Sequence, residues 1–173
     1  MMDKKLHYIL VTGIVIKDGK YLITRRSLNE KAFPGLWTVP GGKITKSDYA
    51  VSPKDTADHW YNVLEKALER EVGEEVGLRI KNIRYLLSLA FIRADGIPAI
   101  ILSFYCDHKE GEVKLSDELI EYAWVGGDEL GKYKFVPGLR EEIELVDKIL
   151  KGAKQGAWKG KYDNALDKSL RDG

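Results

Sequence analysis

The sequence predicts an α/β sandwich with one helix on each face of a central mixed β-sheet. Three observations carry this. The patterned segments run in the order β-β-β-α-β-β-β-α. Two helical segments are too few for a doubly wound fold, in which parallel strands are joined through crossover helices. Residues 98–107 form a near-continuous apolar run, the pattern of a central strand buried on both faces.

Each element follows from its residues. Residues 8–17 are rich in Ile and Val and read as a strand. Asp18-Gly19 is a two-residue hairpin signal, so residues 21–26 are the return strand, ending in Arg25 and Arg26. Residues 27–35 are a polar loop closed by Pro34-Gly35, and residues 36–39 a short strand running into Pro40-Gly41-Gly42. Two successive glycines permit a turn and a close approach of backbone to a ligand or metal. Residues 43–53 read as polar and irregular. Asp55 or Thr56 is a plausible N-cap for a long helix reaching Val76, with Gly77 at its C-terminal end. Residues 78–92 make one bent strand or two, 94–96 a turn, 98–107 the central strand and 121–125 the last strand. Residues 137–150 place Leu139, Ile143, Leu145, Val146 and Ile149 inward on an amphipathic helix. This gives one domain over residues 1–152 and a polar tail over 153–173, which Trp158, Tyr162 and Leu166 are available to dock.

Composition narrows the function classes. The 173 residues are 44% hydrophobic and 32% charged, ordinary for a soluble domain with a real core. A net charge of +1 gives no global electrostatic case for nucleic acid or an anionic membrane. No apolar run is long enough for a membrane span, and no signal-peptide pattern opens the chain. The single cysteine, Cys106, has no internal partner, which fits a cytoplasmic protein.

The chemistry concentrates in residues 68–78. On a helix at about 100° per residue, Leu68, Val72 and Val76 form an apolar stripe, with Glu71, Glu74 and Glu75 clustered on one flank. Like charges at this spacing repel, so a cation should offset them. An oxygen-only donor set suits a hard divalent ion, Mg²⁺ or Mn²⁺.

Residues 70–78 also match the second half of the Nudix box: Arg, Glu, aliphatic, any residue, Glu, Glu, any residue, Gly, aliphatic. Gly41-Gly42, led in by Leu36-Trp37-Thr38-Val39-Pro40, is similar to the strand and glycine turn that open the same box. The chain thus resembles the Nudix hydrolases over residues 8 to 150, and the resemblance implies a Nudix-type α/β/α sandwich. One departure is plain. The family pattern places a glutamate six positions after the opening glycine and the arginine eight further on. Counting back eight from Arg70 reaches Asn62, so the loop carries 14 extra residues and the first glutamate is missing in that register. Glu65 and Asp58 are the substitutes available on the expected helix.

The resemblance implies metal-dependent hydrolysis of a phosphoanhydride in a nucleoside diphosphate linked to another group. The implied primary metal ligands are Glu71 and Glu75. Glu74 is a third carboxylate, ligand or catalytic, and Gly41 offers a backbone carbonyl. Arg70 pairs with a neighbouring glutamate, with Glu74 at salt-bridge spacing. The general base is a box glutamate or a distal one, Glu118 before Glu121. Of Arg25 and Arg26, one should reach a phosphate, because strand side chains alternate. Phe33 and Trp37 are the aromatic candidates for substrate contact, with core packing the rival role for Trp37. The expected partner is a small nucleotide, foremost a nucleoside triphosphate cut to monophosphate and pyrophosphate. ADP-ribose, nucleotide sugars and dinucleoside polyphosphates are alternatives, as is a non-catalytic nucleotide-binding regulator. A homodimer is admissible. The histidines His7, His59 and His108 carry no motif.

Overall fold

The computed structural model describes residues 6–156 and 158. Its elements, in order, are β1 (Tyr8–Lys17), β2 (Lys20–Arg26), β3 (Trp37–Thr38), β4 (Gly41–Lys43), α1 (Val63–Val76), β5 (Arg79–Ile92), β6 (Pro98–Glu110), β7 (Leu119–Val125) and α2 (Leu139–Leu150). Short 3₁₀ turns lie at Lys46–Asp48 and Leu130–Lys132.

The strands form one mixed sheet in the order β3-β2-β1-β6-β5, with β4 added to β1 and β7 to β2. Only β1 and β6 run parallel, over nine residue pairs from Tyr8↔Ala99 to Ile16↔Asp107. The apolar run of β6 is explained by its place between β1 and β5. Two cores result. One lies under α1 and gathers Val11, Val15, Leu22, Leu68, Val72, Val76, Phe104 and Cys106. The other lies under α2 and gathers Ile14, Tyr21, Ile23, Trp37, Tyr105, Leu139, Ile143 and Val146. This is the expected sandwich with a helix on each face. No helix among the described residues is long and apolar enough to cross a membrane.

The sheet is forked. β1 and β2 pair only at the hairpin, Ile16↔Tyr21 and Lys17↔Lys20. Beyond it, β1 takes β4 as its neighbour, through Leu10↔Lys43, Val11↔Gly42 and Thr12↔Gly41, while β2 takes β3 and β7. Pro40 bridges the two prongs, so the glycine turn stands where the sheet splits.

Two local expectations are corrected. The glycine pair forms a short strand, β4, in addition to a turn. And the helix starts at Val63 rather than at residue 55 or 56. Asp55 and Thr56 cap a different structure: the Asp55 carboxylate accepts from the Tyr61 amide at 2.9 Å, and the Thr56 hydroxyl from the His59 amide at 3.1 Å. These local bonds give the backbone an alternative to the helix. Asn62, in the left-handed conformation with φ 55°, marks the boundary. At the other end Gly77, with φ 70°, closes α1 by donating to the Gly73 carbonyl at 3.0 Å. Of the docking residues expected in the tail, Trp158 is 44% exposed, and Tyr162 and Leu166 lie outside the described residues.

Candidate metal and phosphate site

α1 lays Ala67, Leu68, Val72 and Val76 on the core and so turns Glu71 and Glu75 toward the fork. The Gly41 amide donates to Glu75 Oε2 at 2.9 Å. It is free to do so because of register. Gly13 N donates to Pro40 O, and Ile44 N to Ile9 O, both at 2.9 Å. Hydrogen-bonded and non-hydrogen-bonded pairs alternate along an antiparallel ladder. Thr12↔Gly41 is therefore a non-hydrogen-bonded pair, and both the amide and the carbonyl of Gly41 stand outside the ladder. Glycine is required at both positions. A Cβ on Gly41 would collide with the Val11 carbonyl, and one on Gly42 with the Glu71 carboxylate.

The two carboxyls are electrostatically uncomfortable. Burial pushes Glu71 up, and the Arg70 guanidinium offsets this only in part. Burial pushes Glu75 up to about 7 against the Gly41 hydrogen bond. Glu71 and Glu118 lie near enough to raise it further, and Arg26 near enough to oppose. Glu118 arrives there because the segment after β6 satisfies open carbonyls at the end of α1: Lys114 N donates to Val76 O and Ser116 N to Glu75 O, each at 2.9 Å.

Arg70 is the organiser beside this pair. It donates to Glu71 at 2.9 Å, Glu74 at 2.8 Å and the Lys43 carbonyl at 3.2 Å, and it also bonds Asp48. Asp48 is the residue that sequence reasoning missed. Burial raises its carboxyl, but the bonds from Arg70 and the Thr45 amide outweigh this and hold it below its ordinary range. The signal was present. Counting forward six from Gly42 reaches Asp48, the place of the box's first glutamate, so the 14 extra residues follow that position rather than displace it. Asp58, one of the expected substitutes, is 80% exposed and faces Lys54 at 3.9 Å.

The remaining candidates separate. Glu74 is turned onto Arg70, at 2.8 Å, with its side chain 62% exposed. Arg26 stands near Glu75, with Nε on the Ala32 carbonyl and Nη2 on Glu30, both at 2.7 Å. Arg25 instead binds the Gly35 carbonyl at 3.1 Å and Glu121 at 3.3 Å. Phe33, 46% exposed with φ 51°, stands on the loop those arginines tie down. Trp37 is corrected to a core residue. It is 8% exposed, meets Tyr133 edge to face at 4.9 Å, and packs in the core under α2.

The donor set fits a hard divalent ion. Among the described residues no three His, Cys, Asp or Glu side chains are placed to hold an ion between them. Magnesium, however, is commonly held by one or two carboxylates, with water and substrate phosphate oxygens completing its shell. Glu71, Glu75 and the Gly41 carbonyl match that pattern, and the raised carboxyls are what a cation would relieve.

Comparison with known proteins agrees with this geometry. The family model of the NUDIX domain matches residues 7–146. The nucleoside triphosphatase NudI of Escherichia coli K12 is 31% identical over 146 residues, which span 79% of this chain and 94% of that protein. The crystal structure of a MutT protein from Methanosarcina mazei Go1 superposes with a TM-score of 0.62 at 27% identity, covering 87% of this chain and 99% of that one. The NUDIX domain of Shewanella oneidensis NrtR, solved with ADP ribose, shares the fold at 18% identity and a TM-score of 0.64, covering 84% and 90%. With the helix, the glycine turn and the family model all in agreement, this chain belongs to the Nudix superfamily and is a Nudix hydrolase.

Proposed function

We propose that this hydrolase cuts the α–β phosphoanhydride of a nucleoside triphosphate, releasing the nucleoside monophosphate and pyrophosphate, in a reaction dependent on Mg²⁺ or Mn²⁺. The observation that carries the metal is the pair of raised carboxyls, Glu71 and Glu75, against the Gly41-Gly42 strand. The substrate class is supported by the nucleoside triphosphatase named among the relatives.

Glu71, Glu75 and the Gly41 carbonyl would hold the ion. When bound, it supplies charge neutralisation at the phosphate oxygens and a lower pKa for attacking water. Arg70, locked by Asp48, fixes the rotamer of Glu71. Arg26 brings Nη1, which has no hydrogen-bond partner among the described residues, to a phosphate oxygen. Glu118 takes the proton of the attacking water as oxygen adds to the α-phosphorus and the bond to the bridging oxygen breaks. Glu74, held by Arg70, serves orientation rather than proton transfer. Phe33 makes an apolar contact at the rim.

The test is pyrophosphate and phosphate release from nucleoside triphosphates, ADP-ribose and nucleotide sugars, with Mg²⁺ and with chelator. Triphosphates should turn over, yield pyrophosphate, and stop in chelator. Nucleotide binding without turnover of any substrate would replace the enzyme reading with a regulatory one, and turnover of ADP-ribose alone would replace the substrate class.

A further inference from the structure

The chain inserted after Asp48 lies on the surface, yet it is closed on itself. Residues 51–59 are all exposed, so no core holds them in place. The closure comes from the two ends of the stretch. Trp60 meets the Tyr49 ring at 5.5 Å between centroids, and its indole N–H donates to the Ser52 carbonyl at 2.9 Å. The Lys54 ammonium stands over the Trp60 ring at 5.2 Å. Asp55 adds a second tie. Its amide donates to the His59 carbonyl at 3.0 Å, and its carboxylate faces Lys66 of α1 at 3.9 Å.

This closure reaches the metal site through one residue. Tyr49 follows Asp48 directly, and the amides of Tyr49 and Ala50 both donate to the Lys46 carbonyl, at 3.4 and 2.9 Å. They extend the turn that presents Asp48, whose carboxylate accepts from the Thr45 amide at 2.6 Å and from Arg70. The Asp48 side chain is 1% exposed. Asp48 and Arg70 are 22 positions apart, against eight in the family pattern. With a slack insertion, bringing the two together would be about four- to fivefold less favourable, since closure scales as chain length to the power 3/2. The contact of Tyr49 with Trp60 removes most of that slack, because the chain between them no longer counts and α1 is rigid from Val63.

We propose that Tyr49 and Trp60 are positioning residues for hydrolysis: their contact clasps the insertion shut, which keeps Asp48 on Arg70 and Arg70 on Glu71. The inference rests on the nucleotide-hydrolysis reading above and on the role given there to Arg70. An aromatic pair of this kind shifts a closing equilibrium by about two- to tenfold. With residues 51–59 exposed, few other contacts make up for its loss. An open insertion leaves the Asp48 turn tethered only through Thr45 and Arg70, and the Glu71 rotamer loses part of its support.

The experiment is a double-mutant cycle, with kcat and KM for a nucleoside triphosphate measured at saturating Mg²⁺ for the parent, Trp60→Ala, Asp48→Asn and the two combined. Trp60→Ala should lower kcat about three- to tenfold with KM little changed. Trp60→Phe keeps a ring on Tyr49 and should stay within about twofold of the parent. In the Asp48→Asn background, Trp60→Ala should cost nothing further, because its effect passes through Asp48. The same further loss in that background overturns the proposal, as does an unchanged kcat in Trp60→Ala. A loss carried by KM also overturns it, since it would set Trp60 against the substrate. If Trp60→Ala does not fold, Tyr49→Leu takes its place in the cycle. If the parent hydrolyses no nucleotide, the hydrolysis reading has failed. The clasp is then judged by NMR of the Arg70 side-chain Nε–H: faster solvent exchange in Trp60→Ala but not in Trp60→Phe supports it, and equal exchange in all three proteins overturns it.

Discussion

Removing the charge of Glu75 should stabilise the metal-free protein at neutral pH while destroying its site. The carboxyl rises from an ordinary 4.5 to about 7 on folding, chiefly through burial. A raised carboxylate pKa means that the native state binds the extra proton. Its contribution is complete below pH 4.5 and is lost as pH climbs through 7. A gap of about 2.5 pH units corresponds to about 3 kcal/mol at pH 8, at 1.36 kcal/mol per unit. The Glu75→Gln variant does not titrate. In chelator, the parent should therefore lose stability relative to the variant between pH 4.5 and 8. The hydrogen bond from Gly41 to a charged acceptor favours the parent and reduces the net difference at pH 8 to about 2–3 kcal/mol. For a domain of this size that is about 4–12 °C in Tm. Thermal melts of both proteins across the pH range check it, with the difference between them isolating Glu75 from groups that titrate in both. Mg²⁺ at pH 8 should raise the Tm of the parent and leave the variant nearly unmoved. A stability difference that does not change with pH, or a variant less stable at pH 8, would refute the argument that Glu75 is held uncomfortably for an ion.

Three other changes follow from the same geometry. Asp48→Asn unpins Arg70 and should lower kcat by about 10- to 100-fold in steady-state assays. Because the Asp48 carboxyl is held low, its stabilisation is present above its ordinary pKa and fades as pH falls, so the Asn variant should show a shallower acid transition. Gly42→Ala sets a methyl group against the Glu71 carboxylate and should weaken Mg²⁺ binding by titration calorimetry about tenfold or more, with the fold retained by circular dichroism. Glu118→Gln should reduce kcat by about 10²–10⁴-fold with KM little changed, the signature of a lost proton acceptor.

The readable parts of this chain were those where one pattern had one outcome. Residues 70–78 combine an apolar stripe with a fixed carboxylate spacing, and α1 delivers both. The apolar run of β6 could be satisfied only between two other strands. The start of α1 was not legible, because Asp55 and Thr56 are good helix caps and equally good turn formers, and the choice was made by contacts to His59 and Tyr61. Asp48 escaped because spacing was counted from the arginine, whereas the insertion lies between the two. Contacts across 22 residues, such as Asp48 with Arg70, cannot be read from local periodicity. The same holds for Trp37, whose sequence neighbours mark it for the cleft while the packing of Tyr133 places it in the core. The pairing of Gly41 with Thr12, which frees the Gly41 amide for Glu75, depends on strand register, which the sequence leaves open until the sheet is assembled.

The central claim is that Glu71 and Glu75 form a metal-dependent catalytic site. The most direct test is the turnover number of folded Glu75→Gln with a nucleoside triphosphate at saturating Mg²⁺. The predicted result is a kcat lower by about a thousandfold or more, the effect of losing several kcal/mol of transition-state stabilisation. A kcat within a few-fold of the parent's would contradict the account.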